Sequence, residues 1–210
     1  VKNILITGAS GGIGSAIARE LASPSCSLFL HYSTSLEKIK NAAKECREKG
    51  ATVHVIQADL TKEAGDEQLL RAIPSDISFD IIVHNAGVSH FGLFTDMTNQ
   101  EIKDIMNIHL LNPMKITRSL LPNMISKQHG KIIVISSIWG LTGASCEVTY
   151  SAAKGGLNSF VKGLAKELAP SQIQVNGVAP GAINTNMLNE DFLIDLTEEI
   201  PANRIGTLGM

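Results

Sequence analysis

The stretch Ile4-Leu5-Ile6-Thr7-Gly8-Ala9-Ser10-Gly11-Gly12-Ile13-Gly14 decides the fold class. A short apolar run ends in a glycine-rich turn, and residues 12–23 then carry the apolar spacing of a helix. Glycines at 8, 12 and 14 let the backbone turn tightly and let a pyrophosphate approach the amides that open that helix. Outward from this point, apolar runs at 3–7, 28–32, 53–57, 80–84, 132–136 and 174–179 alternate with helical stretches at 12–23, 36–49, 67–72, 99–127 and 150–169. Strands apolar on both faces belong in a parallel sheet covered by helices on each side. The alternation predicts a doubly wound α/β domain, and right-handed crossovers favour the strand order 3-2-1-4-5-6. No repeat, linker or low-complexity segment interrupts the pattern, so residues 1–210 are expected to form one domain.

Composition narrows the function classes. Of 210 residues, 44% are hydrophobic and 18% charged, enough apolar content for a core and too little charge for a disordered chain. A formal charge of −2 gives no footprint for nucleic acid or an anionic membrane. No uncharged apolar run reaches the roughly 18 residues that a spanning helix needs. The first residues read as a strand and not as a signal peptide. Cys26, Cys46 and Cys146 lie far apart with no CxxC pair, which points to a reducing, cytoplasmic setting and to no metal site.

The GxxxGxG spacing of Gly8, Gly12 and Gly14 resembles the short-chain dehydrogenase/reductase family, and later residues match that pattern in order. The resemblance runs from Asn3 to Thr185 and implies a Rossmann-like fold with a bound nicotinamide dinucleotide. It implies cofactor contacts from Ser10 and Ile13 in the glycine turn, and from Asp59 and Leu60 beside the adenine. It implies further contacts from Asn85, Ala86 and Gly87 after the fourth strand. Pro180, Gly181, Ile183 and Thr185 resemble the segment that meets the nicotinamide carboxamide. The second strand ends in His31-Tyr32-Ser33-Thr34-Ser35 with no acid to hold a ribose 2′-hydroxyl. Hydroxyls and a histidine suit a 2′-phosphate, so Tyr32 and Ser33 favour NADP(H), with NAD(H) still possible because no arginine or lysine stands there.

Tyr150-Ser151-Ala152-Ala153-Lys154 opens a long helical stretch, where positions i and i+4 share a face. A free phenol has a pKa of about 10, and a cation about 4 Å away would lower it by several kcal/mol worth of interaction. Ser137 precedes Tyr150 at the family's spacing, at the end of the fifth strand. The resemblance implies carbonyl reduction: Ser137 orients the carbonyl oxygen, Tyr150 protonates it, and Lys154 tunes Tyr150 and grips the nicotinamide ribose. The family's relay asparagine aligns with His109, while Asn107 lies two residues too early. His109 is thus either a substitute in the relay or a buried packing histidine.

Two loops should wall the substrate pocket: Ser89, His90 and Phe91 on one side, Trp139 through Glu147 on the other. Within the family two groups compete. One reduces 3-oxoacyl groups on acyl carrier protein, but two basic docking positions of that group fall on Gln128 and Ser171 here. The other reduces a 5-aminopentanone group on elongation factor P, and stretches 89–93 and 136–148 resemble it more. Glu147 would favour that cationic substrate. A non-catalytic NADP(H) sensor is the alternative of another class. Residues 186–201 resemble a substrate lid, and the family's seventh strand has no counterpart before Met210. Ala152, Ala153, Gly155 and Gly156 permit close helix approach, as in a homodimer or homotetramer.

Overall fold

A computed structural model describes residues 1–185 and 200–208. Six parallel strands form one sheet in the order β3-β2-β1-β4-β5-β6, as the alternation predicts. They are β1 (Lys2–Ile6), β2 (Cys26–Tyr32), β3 (Thr52–Gln57), β4 (Ile81–His84), β5 (Gly130–Ile135) and β6 (Ile173–Val178). The helices are α1 (Gly12–Leu21), α2 (Leu36–Glu48), α3 (Gly65–Arg71), α4 (Asn99–Met106), α5 (Asn112–Lys127), α6 (Trp139–Thr142) and α7 (Val148–Leu168). The residues expected as a lid lie outside the described residues except Ile200 and Pro201.

Side-chain alternation along β1 divides the core in two. Leu5 enters one layer with Phe29, Ile82, Ile132 and Leu157, whereas Ile4 and Ile6 enter the other with Leu28, Leu30 and Ile39. All seven residues of β2 are buried, as expected of a strand covered on both faces. The edge strands differ: only Val53 and Ile56 of β3, and Ile173 and Val175 of β6, are buried.

Two local expectations need correction. The stretch 99–127 is not one helix; a π-helical turn at Asn107–Leu111 separates α4 from α5. The loop after β5 contains a helical turn, α6, and residues Phe94–Asp96 form a 3-10 turn. The small residues of α7 are mostly used inside the protomer. Ala153 is fully buried, a Cβ on Gly156 would stand 2.9 Å from Leu110, and one on Gly155 would approach Gly140. Ala152, of the same stretch, is exposed.

Candidate active site

The carboxyl ends of β5 and β1 and the first turns of α1 and α7 converge at one edge of the sheet. Ser137 follows β5, which Ser136 continues by donating its N–H to Val178 O at 2.7 Å. The Ser137 hydroxyl accepts from Trp139 N at 3.2 Å and lies near enough to the Tyr150 phenol to pull its pKa down. Helix α7 starts at Val148, so Tyr150 sits in its first turn and Lys154 one turn on. Ser137, Tyr150 and Lys154, distant in sequence, are therefore brought together.

Burial dominates the electrostatics of both titratable groups. Lys154 is buried and donates from Nζ to Ile135 O at 2.7 Å, standing 5.6 Å from the Tyr150 ring centre. Burial lowers its pKa to about 8. The phenol is pushed up, first by burial and then by the Glu147 charge, against a downward pull from the Ser137 hydrogen bond. The ammonium is turned toward a carbonyl at the strand end.

His109 lies in the π turn, buried, with its ring edge-on to Tyr150 at 4.9 Å between centres. Its Nε2 stands 2.7 Å from Val88 O and 3.3 Å from Val88 N. Nδ1 has no hydrogen-bond partner among the described residues. Burial, and then the Lys154 charge, lower its pKa to about 3, so the ring is neutral. A Cβ on Gly87 would meet His109 Cε1 at 2.5 Å, which explains the glycine. Asn107 is directed elsewhere, donating to Thr61 O at 2.8 Å. The π turn therefore seats a histidine both packed against Tyr150 and bonded to the backbone after Gly87.

The glycine turn is held from three sides. Gly8 adopts φ +66°, and a Cβ there would lie 2.7 Å from Ala86 Cα. A Cβ on Gly14 would collide with Gly8 O, and one on Gly12 would stand 2.7 Å from Thr185. Asn85 donates to Thr7 O and Gly8 O, each at 3.1 Å. Thr7, not singled out from sequence, accepts from Asn85 N and Ala86 N at 3.0 Å each. A hydroxyl closing β1 just before Gly8 was its only signal. Helix α1 begins with no capping side chain and no acid in its first turn. Its first amides lack intrahelical acceptors, so the turn fits an anionic diphosphate.

The remaining predicted positions separate by burial. Ser10 and Ser33 are half-buried at this edge, and Asp59, also half-buried, accepts from Thr61 N and Oγ1. Ile13 packs against the core, and the side chains of Tyr32 and Leu60 lie within it, so Tyr32 and Leu60 offer the site mainly backbone. His31 requires correction. Its Nδ1 accepts from Gly8 N at 3.0 Å and its Nε2 contacts Ala58 O at 3.0 Å, leaving no nitrogen for a phosphate. Pro180 O accepts from Ile138 N at 3.0 Å, tying the segment after β6 to the loop that follows Ser137. Gly181 is exposed, and Ile183 bridges to Gly206.

The two pocket loops meet: Gly92 N donates to Cys146 O at 2.9 Å. Ser89 and Phe91 are exposed, while His90 faces Glu101 of α4 at 3.9 Å. Glu147 is half-buried against Trp139, whose hydrogen bond stabilises its carboxylate, yet burial still raises its pKa. A carboxylate and a phenol therefore share this end of α7.

The family model described as short chain dehydrogenase matches residues 2–193. An uncharacterized oxidoreductase, YmfI of Bacillus subtilis, is 49% identical over 97% of this chain and 85% of its own length. The 3-oxoacyl-[acyl-carrier-protein] reductase FabG of Aquifex aeolicus is 37% identical over 98% of this chain and 85% of its own. Among solved structures, the angucycline C-6 ketoreductase LanV with bound NADP superposes with a TM-score of 0.88 at 25% identity. That match covers 98% of this chain and 83% of LanV. A short-chain dehydrogenase from Sphingobium yanoikuyae in complex with NADPH gives 0.86 at 27% identity, covering 99% and 80%.

Proposed function

The chain belongs to the short-chain dehydrogenase family, and on that premise we propose that it is an NADP(H)-dependent ketoreductase acting through Ser137, Tyr150 and Lys154. The observation that carries this reading is Ser137 set beside the Tyr150 phenol, with Lys154 over its ring, near an uncapped, glycine-lined helix start. NADPH, when bound, supplies a hydride to the carbonyl carbon. Ser137 holds the carbonyl oxygen by a hydrogen bond. Tyr150 gives that oxygen its phenolic proton, so the ketone becomes an alcohol and the tyrosinate is reprotonated from solvent. The amides opening α1 would hold the diphosphate, Ser33 the 2′-phosphate, since His31 is engaged internally, and Lys154 the nicotinamide ribose.

The substrate we infer is a ketone bearing a cationic amine, the 5-aminopentanone group on elongation factor P. Glu147 supports it: a half-buried carboxylate near Tyr150 gains most from an incoming ammonium. A second reading, a 3-oxoacyl thioester on acyl carrier protein, is favoured by the FabG relatives. We place the enzyme in the cytoplasm, as a homodimer or homotetramer.

Following NADPH absorbance with aminopentanone-modified elongation factor P and with an acetoacetyl thioester separates these readings. The modified protein is expected to react faster, and Glu147→Gln to slow it selectively, by about tenfold. Tyr150→Phe should stop turnover with either ketone while NADPH still binds. A preference for the thioester that Glu147→Gln leaves unchanged selects the second reading. NADPH binding with no turnover of any ketone selects a sensor.

A further inference from the structure

His31 is a buried histidine that takes no part in the proposed chemistry, yet it bonds the turn on which coenzyme binding depends. It lies near the end of β2 and is 2% exposed. Both of its ring nitrogens meet backbone groups, and the identity of those groups fixes the tautomer. Gly8 N–H can only donate, so Nδ1, 3.0 Å away, must be the bare acceptor. Ala58 O can only accept, so Nε2 at 3.0 Å must carry the proton. A protonated ring would set one N–H against another. The main chain of the same residue adds a third link, because Ala9 N donates to His31 O at 2.8 Å. One imidazole thus joins the turn after β1 to the end of β3, next to Asp59.

Gly8 is the residue whose left-handed backbone reverses the chain toward the amides of Gly12, Ile13 and Gly14. Left alone, a glycine-rich turn samples many conformers, and a ligand must then offset the entropy of ordering it. We propose that His31 is the positioning residue that holds this turn in its diphosphate-binding shape in the ligand-free protein, and so sets coenzyme affinity. The proposal rests on the reading that the glycine turn binds a nicotinamide dinucleotide.

The test measures NADPH affinity by titration, beside kinetics, for the wild type, His31→Phe and His31→Asn. Phenylalanine keeps the ring's bulk and removes both bonds; the asparagine Oδ1 can replace Nδ1 as acceptor. His31→Phe is expected to raise the NADPH Kd and KM about tenfold, with the ketone KM changed less than about twofold, and His31→Asn to recover most of that loss. In the ligand-free wild type, the nitrogen-15 shifts of His31 should report a neutral ring protonated at Nε2. Wild-type protein that binds no NADPH overturns the coenzyme reading and this proposal together. Wild-type binding with an unchanged Kd in His31→Phe overturns the proposal alone. Should His31→Phe fail to fold, a tenfold loss in folded His31→Asn, or a ring protonated at Nδ1, overturns it.

Discussion

Tyr150 and Lys154 share a helix face, with the Lys154 ammonium over the ring 5.6 Å from its centre, and the burial of that ammonium has a measurable consequence. Lys154 is buried and its pKa is lowered to about 8, below the ordinary lysine value, so its charge disappears as pH rises through that point. If the ammonium holds the coenzyme ribose, kcat/KM for NADPH must fall along the same limb, since that ratio reports the free enzyme. A guanidinium stays charged throughout, so Lys154→Arg should move the limb out of the accessible range, at a cost in absolute rate. A wild-type profile flat up to the pH at which the protein unfolds would contradict this. The identities of Ser137, Tyr150 and Lys154 were legible because their spacing is local to one strand end and one helix. The direction of the Lys154 charge was not, because its acceptor is Ile135 O, a carbonyl of another element. The same holds for His31, whose partners Gly8 and Ala58 come from two other segments.

Elements were legible where one periodicity ran unbroken, and lost where side chains of a neighbouring element decided the backbone. Apolar runs located all six strands, because burial between two helical layers demands them. The π turn at Asn107–Leu111 left no mark on the apolar spacing of residues 99–127; it is a one-residue excess that seats His109 under Gly87. Helix α6 was hidden for a related reason. It is four residues long and is stabilised by α7, through Asn158 Nδ2 donating to Gly140 O at 3.0 Å. A Cβ on Gly140 would stand 2.8 Å from both the carbonyl carbon and the Cβ of Lys154. Gly140→Ala should therefore push α6 off α7, destabilise the protein by about 1–3 kcal/mol and lower kcat through a displaced Lys154. A Cβ on Gly163, also in α7, would meet no atom of the described residues within 4 Å. Gly163→Ala should therefore be neutral or stabilise by up to about 1 kcal/mol. Thermal unfolding of the two variants checks this, and equal losses would show that packing against α6 is not the cause.

Across the whole molecule, three histidines are folded away as neutral rings: His31 in β2, His84 in β4 and His109 in the π turn. Burial is the leading cause in each, lowering their pKa values to about 4, about 4 and about 3 from 6.5. In the unfolded chain the same rings protonate near pH 6.5, so between that value and about pH 4 the unfolded state binds more protons than the native one. The stability these rings leave intact above pH 6.5 is thus lost progressively as pH falls, and it returns as pH rises. Near pH 5 each ring contributes on the order of 1.4 kcal/mol per pH unit, or about 4 kcal/mol per unit for the three together. That is a large fraction of the roughly 5–15 kcal/mol typical of a domain. Glu101, whose pKa is lowered by hydrogen bonds from Thr98, adds to the slope only nearer the ordinary carboxylate range. Urea unfolding between pH 7 and pH 5 should therefore show a steeply falling midpoint with uptake of about three protons on unfolding. The His84 side chain meets Thr117 Oγ1 at 2.7 Å, and His84→Leu should remove about one third of that slope. A midpoint unchanged from pH 7 to pH 5 would mean that the rings take up protons without unfolding, and the neutral bonding of His31 to Gly8 would fall with them.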